Sequence, residues 1–271
     1  MATVFSRTDQ KGFTLVELAI VMTIVALLIG GVLKGQEMVA NARITSTIAA
    51  VQSYKAAVTT FSDSHGGELP GDYPVSGATI ADTNTEALED GYVGAADWGA
   101  TYAYGPNVQV EAAHQMGIMC PPNCSPRMTT LSEPTNFWLE LAHVGLISGI
   151  SGTGTGFGLS NPSASTGGGF VVGYADGTPP KGFPGGAEGP VGHVLMLIQD
   201  LTDGNDIKTL PLLVKRAAQF DRRLDDGMPT TGNVVAYGED SCFDGGSDPS
   251  VPAYSEDATT TRDCGLFFTL N

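Results

Sequence analysis

The chain has 271 residues, of which 42% are hydrophobic and 8% aromatic, a composition that suits one large folded domain or two small ones. Its net charge of −16 repels phosphate backbones, which argues against nucleic acid as a partner for the bulk of the protein. The 36 glycines and 16 prolines predict many turns and long loops.

The first predicted element is an apolar run at residues 13–33, which is interrupted by one carboxylate, Glu17. A helix of this length is about 31 Å long and matches the hydrocarbon core of a bilayer. Arg7 and Lys11 precede the run, which places the N-terminus in the cytoplasm and the rest of the chain outside. An ordinary secretory signal has a shorter apolar region followed by a small-residue cleavage site. The run therefore predicts a membrane-spanning segment.

The helical pattern continues into residues 34–66, where one face is apolar and the other polar. No proline occurs from residue 13 to residue 66, and His65-Gly66-Gly67 is a strong stop signal. We therefore predict one helix over 13–66, with bending or melting near Gly30, Gly31 and Gly35, because glycine weakens helices. The apolar face comprises Ile44, Ile48, Val51, Val58 and Phe61, with Ala50, Tyr54 and Ala57 alongside.

Residues 67–271 predict a globular α+β head. Residues 68–134 are rich in turn signals, and helices are predicted at 134–146 and 210–225. Short segments rich in β-branched and aromatic residues predict strands at 169–175, 193–199, 233–238 and 265–270. The expected fold is an antiparallel β-sheet packed on the amphipathic half of the long N-terminal helix.

All four cysteines lie beyond the membrane segment, and an even number of cysteines in an exported domain favours disulfides. Three pairings exist, and we favour Cys120–Cys124 and Cys242–Cys264 because each pair is close in sequence. The spacing of Cys120 and Cys124 differs from that of a C-x-x-C redox site, and the four spacings match no zinc ribbon.

A cluster of aspartates follows the last predicted helix. Asp221 and Asp225 are four positions apart and Asp226 is next, so three carboxylates meet at the negative end of the helix dipole. Adjacent arginines or a bound cation would compensate this charge, and one hypothesis is a calcium site built from these oxygens. The alternative is that the carboxylates cap the chain and face solvent. A second oxygen-rich loop contains Asp200, Asp203, Asn205 and Asp206.

No pattern in the sequence predicts an active site or a cofactor. The chain has no P-loop, no G-x-S-x-G and no H-E-x-x-H. Its histidines are scattered along the chain, at His65, His114, His143 and His193. We therefore expect a protein that is not an enzyme.

The stretch Gly12-Phe13-Thr14-Leu15-Val16-Glu17 at the head of an apolar helix resembles the class III signal of type IV pilins and of the pseudopilins of type II secretion. The likeness is close over residues 11–60 and holds only in outline beyond them. It implies that residues 1–12 are a leader, that prepilin peptidase cuts after Gly12, and that Phe13 is then N-methylated. It also implies that Glu17 pairs with the positive N-terminus of a neighbouring subunit.

The resemblance implies a structural subunit of a type IV pilus-like filament, with itself, other pilins and the inner-membrane assembly machinery as partners. The subunit would wait in the bacterial inner membrane and then enter an extracellular filament. The alternatives are a type II secretion pseudopilin in a periplasmic pseudopilus, or a membrane-anchored surface binding protein that does not polymerise. The family likeness also lends support to calcium, which major pseudopilins bind in their heads. One departure is Lys34, which stands where many pilins carry proline.

Overall fold

The first described element is a single long helix, α1 (Leu15–Ser64), of 50 residues. It stays helical through Gly30, Gly31 and Gly35, so the melting predicted there does not occur in this structure. The chain divides into two units, Met1–Arg43 and Ile44–Asn271. The computed structural model describes residues 13–71, 93, 108–109, 133–152, 156–177, 188–199, 210–238, 240–244, 253–255 and 262–270.

Helix α1 ends where the sequence predicts, in a glycine-based C-cap. Gly66 adopts a left-handed conformation with φ of 76°, which glycine reaches without the steric cost that a side chain brings. The backbone N–H of Gly67 donates to the carbonyl of Ser62 at 2.9 Å, the long hydrogen bond of a Schellman motif. The cap satisfies a carbonyl that the end of the helix would otherwise leave open.

The part of α1 in the second unit buries one face in the head, as predicted. Val58 and Phe61 lie in the core, and Thr47, which the sequence analysis did not include, is also buried. The ring of Tyr54 meets those of Trp138 and Phe170 edge to face, with centroids 5.1 and 5.4 Å apart. The buried residues of α1 are Ile44, Thr47, Val51, Tyr54, Ala57, Val58 and Phe61.

The head contains an antiparallel sheet with the strand order β1-β2-β3-β7-β4, and β5 and β6 form a separate ribbon. The four longer strands confirm the four predicted ones. The other three have two residues each, too few for an alternating pattern to appear in the sequence. The strands are β1 (Val108–Gln109), β2 (Gly169–Asp176), β3 (Val191–Ile198), β4 (Val234–Gly238), β5 (Phe243–Asp244), β6 (Ala253–Tyr254) and β7 (Cys264–Thr269).

Two shorter helices complete the described part of the head, α2 (Glu133–His143) and α3 (Val214–Leu224). On α2, the buried Glu140 accepts a hydrogen bond from the backbone N–H of Gly71 at 2.7 Å, which ties the segment after α1 to this helix. On α3, Phe220 packs against Phe268 of β7, with ring centroids 6.4 Å apart. Both helices therefore contribute to the same hydrophobic core as α1.

A disulfide joins Cys242, at the end of a short 3₁₀ turn, to Cys264, the first residue of β7. Their Cα atoms are 5.4 Å apart and both residues are buried. The other predicted pair, Cys120 and Cys124, lies outside the described residues.

Strand β4 is at one edge of the sheet. Its outer side is hydrogen-bonded by a side chain and by a loop carbonyl instead of by another strand. The N–H of Val234 donates to Asp225 Oδ2 at 3.0 Å, and the N–H of Ala236 donates to the carbonyl of Pro229 at 2.8 Å. These contacts satisfy backbone donors that an edge strand otherwise exposes.

The first residues of β2, which lie outside its pairing with β1, are covered in a similar way by the loop that precedes them. The N–H of Phe170 donates to the carbonyl of Pro162 at 3.0 Å, and the Phe170 carbonyl accepts from Asn161 Nδ2 at 3.1 Å. Asn161 is fully buried, so its amide acts as a fixed part of the sheet rather than as a surface group.

Candidate functional site

Helix α1 begins with a reciprocal capping box formed by Thr14 and Glu17. The backbone N–H and the hydroxyl of Thr14 donate to Glu17 Oε2 at 2.9 and 2.8 Å, and the N–H of Glu17 donates to Thr14 Oγ1 at 3.2 Å. Thr14 is the N-cap and Glu17 is the third helical residue, the positions that define this motif. The sequence carries this signal as T-x-x-E before an apolar run, although no cap was predicted there.

The capping box changes the interpretation of Glu17. A carboxylate near a helix N-terminus is stabilised by the helix dipole, and an N-cap contributes typically about 1 kcal/mol. Glu17 therefore has favourable partners within its own chain before any neighbouring subunit is present.

The part of α1 from this cap to residue 33 is largely apolar and exposed throughout. Every residue from 13 to 39 is exposed, and Phe13 is 92% exposed. An 18-residue window of α1 has a mean hydropathy of 2.6, and none of it is buried within the protein. By length and composition this helix can cross a membrane. An apolar surface of this size requires cover by lipid or by other chains.

The residue expected to follow the cleaved bond, Phe13, lies directly before the cap. Phe13 and Thr14 are outside the helix, in irregular backbone at the exposed start of the described chain. Gly12 lies outside the described residues. A cut after Gly12 would create an ammonium group on the residue next to the N-cap, four positions before Glu17. The two charges that the resemblance implies for assembly thus belong to one short segment.

The second candidate site is the aspartate cluster at the C-terminal end of α3. The structure brings Asp221, Asp225 and Asp226 together, with one carboxylate oxygen of each within 4.8 Å of the others. Asp221 is buried, Asp225 is half-buried and Asp226 is exposed. Three carboxylates in this arrangement could hold a metal ion.

Donors from the protein itself already contact these carboxylates. Asp221 Oδ2 accepts from the Tyr254 hydroxyl at 2.7 Å, and Asp221 Oδ1 accepts from the N–H of Gly227 at 3.0 Å. Asp226 Oδ1 accepts from the N–H of Met228 at 2.8 Å. The cluster therefore ties the segment after α3 to α3 itself and to β6. These contacts support the alternative interpretation, in which the carboxylates cap the chain. The expectation that all three face solvent is wrong for Asp221, which is buried.

Burial raises the pKa of Asp221 to about 7. Hydrogen bonds from Tyr254 and Gly227 act in the opposite direction, and the nearby charges of Asp226 and Asp225 raise the pKa further. The same environment raises the pKa of the Tyr254 hydroxyl, chiefly through burial and then through the Asp221 charge. Near neutral pH the Asp221 carboxyl is therefore protonated in part of the molecules. In those molecules Asp221 and Tyr254 are both neutral.

Among the described residues, the histidines do not assemble into a site. The described histidines lie on different elements: His65 stacks on Phe61, His143 ends α2, and His193 accepts the N–H of Val93. The oxygen-rich loop at 200–206 and His114 lie outside the described residues.

A family model, the prokaryotic N-terminal methylation motif, matches residues 7–33. This motif is the class III signal peptide of type IV pilins and pseudopilins. The match spans the expected cleavage site, the capping box and the apolar half of α1. No curated protein and no solved structure matches the chain.

Proposed function

We propose that this chain, a type IV pilin-like or pseudopilin-like protein by its N-terminal signal, is a structural subunit of a type IV pilus-like filament. In this proposal prepilin peptidase removes residues 1–12, Phe13 is N-methylated, and the mature chain polymerises through α1. The observation that carries the proposal is the coincidence of the methylation motif with an exposed apolar helix that holds one acidic residue in its first turn.

The role proposed for the Glu17 carboxylate is to pair with the positively charged N-terminus of a neighbouring subunit. In lipid a carboxylate costs about 2.5–3.5 kcal/mol near the centre of a helix, and less near its end. The ammonium of Phe13 on a neighbouring chain offsets this cost only when the two helices are in register. Because the capping box already gives Glu17 Oε2 two donors, the contribution that we assign to assembly is its charge.

The pilus is favoured over the alternatives by the head. The head is large, and the segment from residue 148 to residue 169 is mostly glycine, serine and threonine; its exposed residues, which include Ser151, Ser163 and Ser165, suit the surface of a filament. A type II secretion pseudopilin is the second candidate and shares the same signal. A membrane-anchored surface protein that does not polymerise is the third.

Two substitutions separate the charge of Glu17 from its capping role. Glu17→Gln keeps a side-chain acceptor for Thr14 and so preserves the capping box, but it removes the charge. Thr14→Ala removes the cap and keeps the charge. We expect Glu17→Gln to abolish filaments that can be sheared from cells and observed by electron microscopy. We expect Thr14→Ala to reduce them only modestly.

The location and processing of the same variants provide the control. Both variants should reach the membrane, and mass spectrometry should find N-methyl-Phe13 in each. Filaments formed by Glu17→Gln at the wild-type level would rule out a role for the charge in assembly. Surface display of the wild-type chain without any filament, unchanged in Glu17→Gln, would support the non-polymerising surface protein instead.

Calcium binding at the aspartate cluster is a further part of the proposal. It is supported by the three carboxylates within 4.8 Å of one another and by the partial exposure of Asp225 and Asp226, which leaves room for an incoming ion. If calcium binds, the head should melt at a higher temperature with calcium than with a chelator. Equal melting temperatures under both conditions would contradict it.

A further inference from the structure

Helix α3 presents a basic face on a strongly acidic protein. Four of the chain's 13 lysines and arginines lie on this helix of 11 residues, and its one acidic residue, Asp221, is buried. At 3.6 residues per turn the four cations fall within an arc of about 120° on the side opposite the core. Three of them are exposed and Arg216 is half-buried. The four are Lys215, Arg216, Arg222 and Arg223, which we call the basic face.

The helix dipole does not explain the whole of this face. Arg222 and Arg223 lie in the last turn, where cations are favoured, next to Asp225 and Asp226. Lys215 and Arg216 lie in the first turn, where cations are disfavoured and acidic residues are usual. Within the helix Arg216 Nη1 donates to the neutral Gln219 Oε1 at 2.8 Å, and an acidic group of a partner would add a favourable charge interaction at this end.

The structure places the basic face at one end of α1 within the head. Arg223 Nη1 donates to Thr45 Oγ1 at 3.0 Å, and Thr45 is the second residue of the unit that begins at Ile44. Asp63 lies in the last turn of the same helix, about 27 Å further along its axis. Asp63 is exposed and Glu68 follows it shortly after the end of α1.

The sequence also separates acidic from basic residues. Residues 56–126 contain nine aspartates and glutamates and no lysine or arginine. This acidic stretch begins in the last turns of α1, where Asp63 lies. Among the described residues, the basic face lies beside the first residues of α1 in the head, and Asp63 and Glu68 lie at and just after the far end of that helix.

A second copy of the chain has the charge that fits this face. Subunits of net charge −16 repel one another in a homopolymer, so an attractive contact between unlike patches would oppose that repulsion. A contact between two different patches of the same protein is heterologous, and a heterologous contact that does not close into a ring generates a helical filament. A separation of charge along α1 suits this head-to-tail geometry.

We propose that the basic face of α3 docks on the acidic end of the head of a neighbouring copy, at Asp63 and Glu68. This inference rests on the proposed function and names the contact between heads that accompanies polymerisation through α1. Ion pairs on a surface are individually weak and are screened by salt. The contact therefore sets the order and polarity of the heads, whereas burial of the apolar half of α1 provides most of the stability.

Complementary charge reversals test the contact. The first variant, Lys215→Glu with Arg222→Glu, makes the basic face acidic. The second, Asp63→Arg with Glu68→Arg, makes the acidic end basic. We expect each variant alone to lower the yield of sheared filaments roughly tenfold, because like charges then face each other. Arg262→Glu is a control for the addition of negative charge elsewhere on the head, since Arg262 is exposed and lies outside α3.

Co-expression of the two variants in one cell provides the decisive measurement. Each altered basic face then meets an altered acidic end of the other chain, and a mixed filament should recover at least half of the wild-type yield. A wild-type yield of filaments from each variant expressed alone would overturn the inference. A loss of yield in Arg262→Glu equal to that in the variants would also overturn it. Failure of the mixture to recover would also overturn it. A wild-type chain that forms no filament at all would overturn the proposed function itself.

Discussion

Replacement of the buried Asp221 by asparagine should change how the stability of the head depends on pH. The folded-state pKa of Asp221 is about 7, above the ordinary value of 3.8. Between these values the folded protein retains a proton that the unfolded chain has released. Stability contributed by this proton is therefore fully present below pH about 4 and is lost as the pH rises to 7.

The size of the effect follows from the shift. One pKa unit corresponds to about 1.4 kcal/mol, so the full shift gives roughly 2–4 kcal/mol after allowance for solvent screening around the cluster. This is a large share of the stability of a typical domain, which is about 5–15 kcal/mol. About two of these pKa units fall between pH 5 and pH 8, so for a head of this size the change in Tm over that range is roughly 3–10 °C.

Asparagine is the appropriate substitution because it preserves the geometry. Its carbonyl can accept from the N–H of Gly227, and its amide can donate to the Tyr254 hydroxyl, which can act as donor or acceptor. We expect Asp221→Asn to remove most of the pH dependence and to be more stable than the wild type at pH 8. At pH 5 the two proteins should be similar.

The assay is thermal denaturation of the detergent-solubilised full chain, followed by near-UV circular dichroism at pH 5, 6, 7 and 8. A chelator keeps calcium away, because a cation among the carboxylates favours their charged forms and opposes the trend. With the chelator present, a wild-type Tm that rises from pH 5 to pH 8 would refute the reasoning. So would an Asp221→Asn protein that keeps the wild-type slope.

Three further changes test the fold. Phe61→Ala empties a fully buried site on α1 and should cost about 3–5 kcal/mol in denaturant unfolding, and a cost below 1 kcal/mol would contradict its place in the core. Cys264→Ser opens the disulfide and should cost about 3 kcal/mol, whereas reduction of the wild type with no change in Tm would contradict a structural role. Gly232→Ala forces a side chain onto the Asp225 carboxylate at φ of 82° and should lower the Tm by several degrees. An unchanged Tm would show that this turn can shift freely.

The parts of the structure that could be predicted from the sequence are those with a periodic signal. The apolar stripe of α1, the glycine stop after Ser64 and the four longer strands all depend on spacing or on local turn chemistry. The two-residue strands could not be predicted, because their pairing is decided by tertiary contacts and not by their own pattern.

The candidate sites were predictable in part. The methylation motif is contiguous, so a reading of the sequence finds it, and the family model confirms it. The partnership of Asp221 with Tyr254 joins residues 33 positions apart and depends on how β6 packs beside α3. The pattern of aspartates alone indicated exposed charge, whereas burial of Asp221 follows from its position on the inward side of an amphipathic helix.

The coverage of the sheet edges has a consequence for a protein that is crowded with copies of itself. Side by side in a membrane or a filament, heads experience very high local concentrations, and open strand edges would promote amyloid-like pairing. The Asp225 carboxylate on β4 and the Asn161 amide on β2 occupy backbone groups through which such pairing would begin. Among the described residues, the edge strand β4 and the part of β2 outside its pairing with β1 are in this way closed to strands of other copies.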